Sequence, residues 1–170
     1  MNESRVLPDE NDEVDAAPAT ALVVGHDRSD GANAALEVAL QLASDLGAPV
    51  TIVRAWSMVT APRPPSWTFG YVPSSDEIAE AVRGELESDT RHLVQRFPDV
   101  KATYRAYHAG PAATLIRASR DARMLVVGSR GIGGFRQMVL GSVADQCVRQ
   151  AHCPVLVTRR PSSDKQKSPQ

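Results

Sequence analysis

Net charge, cysteine and long apolar runs are all in short supply in this sequence, and each shortage removes a class of function. Nineteen Lys and Arg against 20 Asp and Glu leave a net charge of -1. That offers no general attraction to a polyanion, so a nucleic-acid-binding role has no support. No apolar run approaches the roughly 18 residues that a membrane-spanning helix needs, and the first residues are acidic, without the basic-then-apolar layout of a secretory leader. A cytoplasmic protein with no membrane partner is expected. The two cysteines, Cys147 and Cys153, form no CxxC pair and have no ligand-spaced neighbours, so buried thiols are expected rather than a zinc site. His108 lacks a second histidine three or four residues on and reads as a turn residue rather than a metal ligand.

What the chain has is a length of 170 residues, 42% apolar and 23% charged, suited to one globular domain with a sizeable core. Apolar runs alternate with segments of helical period. Ala21 to Val24, Val50 to Trp56, Lys101 to Tyr107, Met124 to Val127 and Pro154 to Thr158 read as strands. Between them, the apolar stripe of Ala35, Leu36, Ala39, Leu40 and Ala43 gives a helix ending at Gly47. A second helix capped by Ser75-Asp76 carries Ile78, Val82, Leu86, Leu93 and Val94 to about Phe97. A third starts with Pro111 at its first position and runs to about Asp121, and a fourth carries Val143, Cys147 and Val148. Five strands and four helices in strict alternation predict a parallel sheet with right-handed crossovers and helices on both faces.

Residues 1 to 19 hold six acids against one arginine, a net of -5, too polar to offset their ordering entropy, and are expected to be disordered. The tail after Arg159 is basic, and residues 161–170 are expected to be flexible. The domain is thereby expected over 20–160. The loop from Ser57 to Ser75 carries four prolines with Trp67, Phe69 and Tyr71. Either it closes over a ligand or docks a partner, or it is a proline-stiffened surface loop covering a core edge.

The stretch around which the chain is organised is Met124 to Arg159. Its apolar strand ends in Gly128-Ser-Arg-Gly131-Ile-Gly-Gly134, and Gly141-Ser142 opens the last helix. Glycine at the carboxyl end of a parallel strand lets backbone N–H groups approach an anion, since no Cβ intervenes and a positive φ costs little. Ser142 sits where a helix N-cap would stand. The P-loop is excluded because Gly134 is followed by Phe135-Arg136. The dinucleotide fingerprint fails because the fifth residue after Gly131 is Arg136. Asp27, at the end of the first strand, is of a type that bonds the backbone of its own turn or shares in capping the next helix with Asp30. Arg130 on its own could be a solvated loop arginine.

The remaining spacing, Gly128-x2-Gly131-x9-Gly141-Ser142, resembles the nucleotide-binding motif of the universal stress protein family in its ATP-binding branch. The resemblance covers roughly 20–160 and implies a Rossmann-like open sheet of strand order 3-2-1-4-5. It also implies ATP, with a divalent ion such as Mg2+, as ligand. By the family pattern Asp27 meets the nucleoside, the main chain of Ala55 pairs with the adenine edge and Val127 lies near the ribose. Gly128, Arg130, Gly131, Gly141, Ser142 and Val143 hold the phosphates. No residue is assigned to the metal, there being no carboxylate beyond Asp27 near the motif.

The family's last strand pairs with its copy in a second subunit, so a homodimer through 154–158 is implied. The sequence departs from the pattern at Arg54, where histidine is common, and at Arg123, where an acid is usual. It departs again at Arg130, where histidine is common. The implied function is a nucleotide-dependent stress or signalling module, not an enzyme beyond slow ATP hydrolysis. The alternatives are a nucleotide-using enzyme, whose paired-histidine or Ser-Gly-Gly phosphate motifs are missing, and a dimeric scaffold that binds nothing.

Overall fold

A computed structural model describes residues 14–62, 73–132 and 140–159. Five strands, β1 (Leu22–Gly25), β2 (Val50–Trp56), β3 (Ala102–His108), β4 (Met124–Gly128) and β5 (Val155–Thr158), alternate with four helices. These are α1 (Asp30–Leu46), α2 (Ser75–Val94), α3 (Pro111–Ala118) and α4 (Ser142–Gln150). The sheet is parallel throughout, in the order β3-β2-β1-β4-β5. This is the order that the family resemblance implied.

The period-two alternation along each strand divides the core between the two faces. Leu22, Val24, Val50, Ile52 and Val126 pack with Leu36, Leu40 and Leu86 under α1 and α2. Val23, Val53, Tyr107, Leu125 and Val127 pack with Leu115, Ala118 and Cys147 under α3 and α4. β1 lies in the middle and is covered on both sides, so Leu22, Val23 and Val24 are fully buried. An all-apolar strand has that fate in a doubly wound sheet.

Several boundaries differ from the sequence reading for local reasons. α2 is capped by Ser74, not Ser75. The Ser74 side chain accepts from the Glu77 amide at 3.2 Å, and Glu77 reaches back to the Ser74 amide at 2.9 Å. That reciprocal pair is a capping box. α1 is capped by Ser29, whose hydroxyl accepts from the Ala32 amide. It ends at Gly47 in the left-handed region with φ 60°. α2 stops at Val94 and α3 at Ala118, short of Phe97 and Asp121, because turns at Gln95 and Ser119 close the helix ends.

Residues 14–17, expected to belong to the disordered tail, dock on the domain. Ala17 is buried and its amide donates to the Ala118 carbonyl at 2.8 Å, while Arg105 donates to the carbonyls of Asp15 and Ala16. The rest of that acidic segment lies outside the described residues, as do the tail from Arg160 on and the aromatics Trp67, Phe69 and Tyr71.

Candidate functional site

In an open α/β sheet the crossovers leave β1 and β4 toward opposite faces, and a crevice opens at their carboxyl ends. Here it is a cavity of about 450 Å³. Asp27, Ala55, Val127, Gly128, Arg130, Gly131, Gly141, Ser142 and Val143 all line it, although Asp27 and the motif lie about a hundred residues apart in the chain. The sequence reading missed Val53 and, from α3, Pro111 and Leu115, which form the apolar wall opposite the loop. Pro111 and Leu115 stand on an amphipathic helix far from any motif. The one signal available was that Pro111 follows the carboxyl end of β3, where every loop of such a sheet is a candidate.

The glycines serve close approach rather than unusual backbone angles. Of the described glycines only Gly47 has a positive φ. At Gly128 a Cβ would stand 2.7 Å from the Gly31 carbonyl oxygen, in the first turn of α1. Only a glycine allows β4 to end so near that helix. A Cβ at Gly131 would come to 2.4 Å from Asp27 Oδ2, so Gly131 makes room for the aspartate.

Asp27 joins the two loops. Its Oδ1 accepts from the Ser29 amide at 3.0 Å, the turn bond expected of it, and its Oδ2 accepts from the Ile132 amide at 3.0 Å across the crevice. Both oxygens are engaged by main chain, so the carboxylate clamps the two loops together. Among the described residues no three His, Cys, Asp or Glu side chains gather for a metal ion.

Some of the loop's amides are likewise taken. Gly141 donates to the Ser129 carbonyl at 2.7 Å and Ser129 to the Thr158 carbonyl at 2.8 Å. The anion-binding capacity therefore shifts to the start of α4. Gly141, not Ser142, is the N-cap, and Ser142 is the first helical residue. No side chain caps this helix. The first amides of α4, at Ser142, Val143 and Ala144, all belong to cavity-lining residues. An uncapped helix start brings orphan N–H groups and the positive end of the helix dipole. Exposed Arg130 adds a fixed positive charge at the rim. The site thus has an apolar slot between Val53, Leu115 and Val127 at one end and an anion-attracting helix start at the other.

No described helix is long and apolar enough to cross a membrane. Cys147 and Cys153 are free, and burial pushes the Cys147 thiol up to about 11, which makes it inert at neutral pH.

Comparison with known proteins gives a consistent result. The sequence model of the universal stress protein family matches residues 19–159. Universal stress protein Rv2623 of Mycobacterium tuberculosis is 30% identical over 154 residues, covering 91% of this chain and 50% of its own length. The chain thus spans about half the length of the curated relatives it matches. Among solved structures, a universal stress protein in complex with cAMP superposes with a TM-score of 0.59 at 20% identity, over 84% of this chain and 98% of that one. A universal stress protein from Archaeoglobus fulgidus in complex with dAMP gives 0.51 at 21% identity, over 81% and 96%. At those identities the two structures speak for the fold.

Proposed function

The chain belongs to the universal stress protein family, and from that premise we propose that it is an adenine-nucleotide-binding module, with ATP and Mg2+ as the ligand. Its bound state alters a conformation or a dimer contact that partners read in a stress response. The observation that carries this reading is the joining, in one crevice, of an apolar slot and the uncapped start of α4. The base would enter the slot with its edge toward the Ala55 main chain, and the phosphates would lie over Gly128, Arg130, Gly131, Gly141, Ser142 and Val143. Related proteins of this fold, solved with cAMP and dAMP, support an adenine nucleotide as the class of ligand. For such a ligand to act as a signal it must bind two states of the protein with different affinity.

Catalysis beyond slow hydrolysis is not proposed. Of the cavity serines, Ser29 accepts the amide of Ala32 as the α1 cap. His26, the one cavity imidazole among the described residues, is engaged at both ring nitrogens by Asn33 and Arg54. No nucleophile and base are thereby paired. The domain is proposed to run over 20–160, with a homodimer through β5, whose Val155, Leu156 and Val157 are half-buried at the sheet edge.

The direct test is acid release of purified protein followed by nucleotide chromatography, with thermal unfolding in ATP and Mg2+. At about a hundredfold excess over Kd, bound ATP is expected to raise Tm by about 5–10 °C. Gly141→Val isolates the site. Its backbone is extended (φ -73°, ψ 157°) and a Cβ there would make only ordinary contacts at 3.4 Å or more. The variant should fold, losing about 1 kcal/mol for a valine at the N-cap, while its methyls fill the phosphate end. Unchanged ATP stabilisation in Gly141→Val would refute the crevice as the site, and rapid turnover would favour an enzyme.

A further inference from the structure

The turn that carries Asp27 is secured from the far side of the sheet. Along β2, Val53 and Ala55 face the crevice while Arg54, only 5% exposed, faces α1 and α2. Arg54 Nε donates to the His26 carbonyl at 3.1 Å. Its Nη2 lies 3.0 Å from His26 Nδ1 and donates to Asp89 Oδ2 on α2 at 2.8 Å. A guanidinium has no lone pair to offer, so Nδ1 must be the acceptor. The imidazole proton is therefore on Nε2, which donates to Asn33 Oδ1 on α1 at 3.0 Å. His26 is fixed as a neutral ring of one tautomer.

The next residues share the arrangement. Arg28 takes a left-handed backbone, φ 70°, the one non-glycine to do so among the described residues. Such a conformation persists only where surroundings hold it. Its guanidinium pairs with Glu85 and with Asp89, the acid that also holds Arg54.

We propose that Arg54 is a positioning residue for the nucleotide crevice. It fixes the turn at 26–28 through the carbonyl and ring of His26, and nucleotide affinity is lost when His26 takes up a proton. This rests on reading the crevice as an adenine-nucleotide site and adds to it an acid-sensitive control. A proton on Nδ1 would set two donors and two like charges face to face across 3.0 Å. The pair must then separate, which frees the His26 carbonyl and loosens the turn. Asp27 rides on that turn and grips the Ile132 amide, so the glycine loop loosens with it.

The charged and polar groups around His26 are Asn33 from α1, Arg54 from β2, Asp89 from α2 and Asp27 beside it, with Arg28 and Glu85 beyond. Burial, the largest influence, holds its pKa below the usual 6.5. The Asn33 bond opposes this, Arg54 adds to it, and Asp27 and Asp89 oppose it. The unfolded chain therefore binds the proton more readily than the native one. Stability from this source is whole above 6.5 and is lost as pH falls through the lowered native value. Binding, which needs the clamped turn, follows the same sign.

The test uses the full chain, with calorimetric titration of ATP and Mg2+ between about pH 7.5 and about pH 5, where one proton can cost at most about tenfold in affinity per pH unit. Wild type is expected to weaken more than His26→Asn, whose amide oxygen can take the place of Nδ1 and does not titrate. The ratio of their Kd values should grow as the pH falls through the native value of His26, by at most about tenfold for each pH unit below it. Arg54→Lys keeps the charge but cannot span carbonyl, ring and carboxylate at once, and should weaken binding about tenfold at neutral pH. Nitrogen NMR of the His26 ring, without nucleotide, should show the Nε2–H tautomer. Parallel pH profiles for wild type and His26→Asn, native affinity in Arg54→Lys, or an Nδ1–H tautomer would each overturn the inference. Absence of nucleotide binding by wild type at every pH would instead remove the reading of the crevice, and this control with it.

Discussion

Asp27 shows how much a single side chain can be asked to do. From the sequence it had two readings, a turn aspartate bonded to its own backbone or a residue facing the nucleoside. The structure places one oxygen in the first role and the other on the Ile132 amide across the cavity it lines. Its partner in this is an absence, the missing Cβ of Gly131. Asp27→Ala should therefore loosen the glycine loop. It removes two charge-assisted bonds at an exposed site, so unfolding by denaturant should show a loss of about 1–2 kcal/mol. ATP affinity should fall well beyond what that loss of stability explains. An Asp27→Ala protein that binds ATP like wild type would show that the clamp is irrelevant to the ligand.

At the scale of elements, the contrast between two helix starts separates structure from function. α2 begins with a closed capping box at Ser74 and Glu77, while α4 begins at Gly141 with no side-chain cap. A helix start left open costs stability unless water or a ligand supplies partners for its amides. Ser74→Ala is expected to lower stability by about 1 kcal/mol, read as a fall in Tm with the ATP response intact. Ser142→Ala, which loses no capping bond, should leave unliganded Tm within about 1 °C. It should diminish the shift produced by ATP if its hydroxyl meets phosphate. The sequence made Ser142 a cap because serine is among the residues favoured at a helix start. The structure moves the cap back by a residue since Gly141 already has the extended backbone that a cap requires.

For the molecule as a whole, the sheet order decides where the crevice lies and which edge remains uncovered. β5 is an outer strand, and its hydrogen bonds to β4 pass through the carbonyls of Pro154 and Thr158. Alternation then turns the main-chain groups of Val155 and Val157 outward. An outward row of this kind can accept another strand, which supports the proposed homodimer. Val157→Pro removes an outward N–H without deleting a bond to β4. Sedimentation should give a dimer for wild type and a monomer for this variant. A variant that remains dimeric would move the interface elsewhere.

Taken alone, the sequence determined the architecture, because strands buried on both faces must be apolar throughout and the turns between them need Gly, Pro or Ser. The runs at β1, β2 and β4 and the helical stripe of α1 were legible for that reason, as was the glycine spacing of the site. Tertiary structure alone decided which amides of the motif remain available, that Leu115 and Pro111 wall the slot, and that buried Arg54 and His26 form one chain behind it, ending on Asp89 at the surface. The reason is distance along the chain. A period is written in neighbouring residues, whereas Arg54 acquires its partners 28 and 35 positions away only when β1, β2 and α2 are packed together.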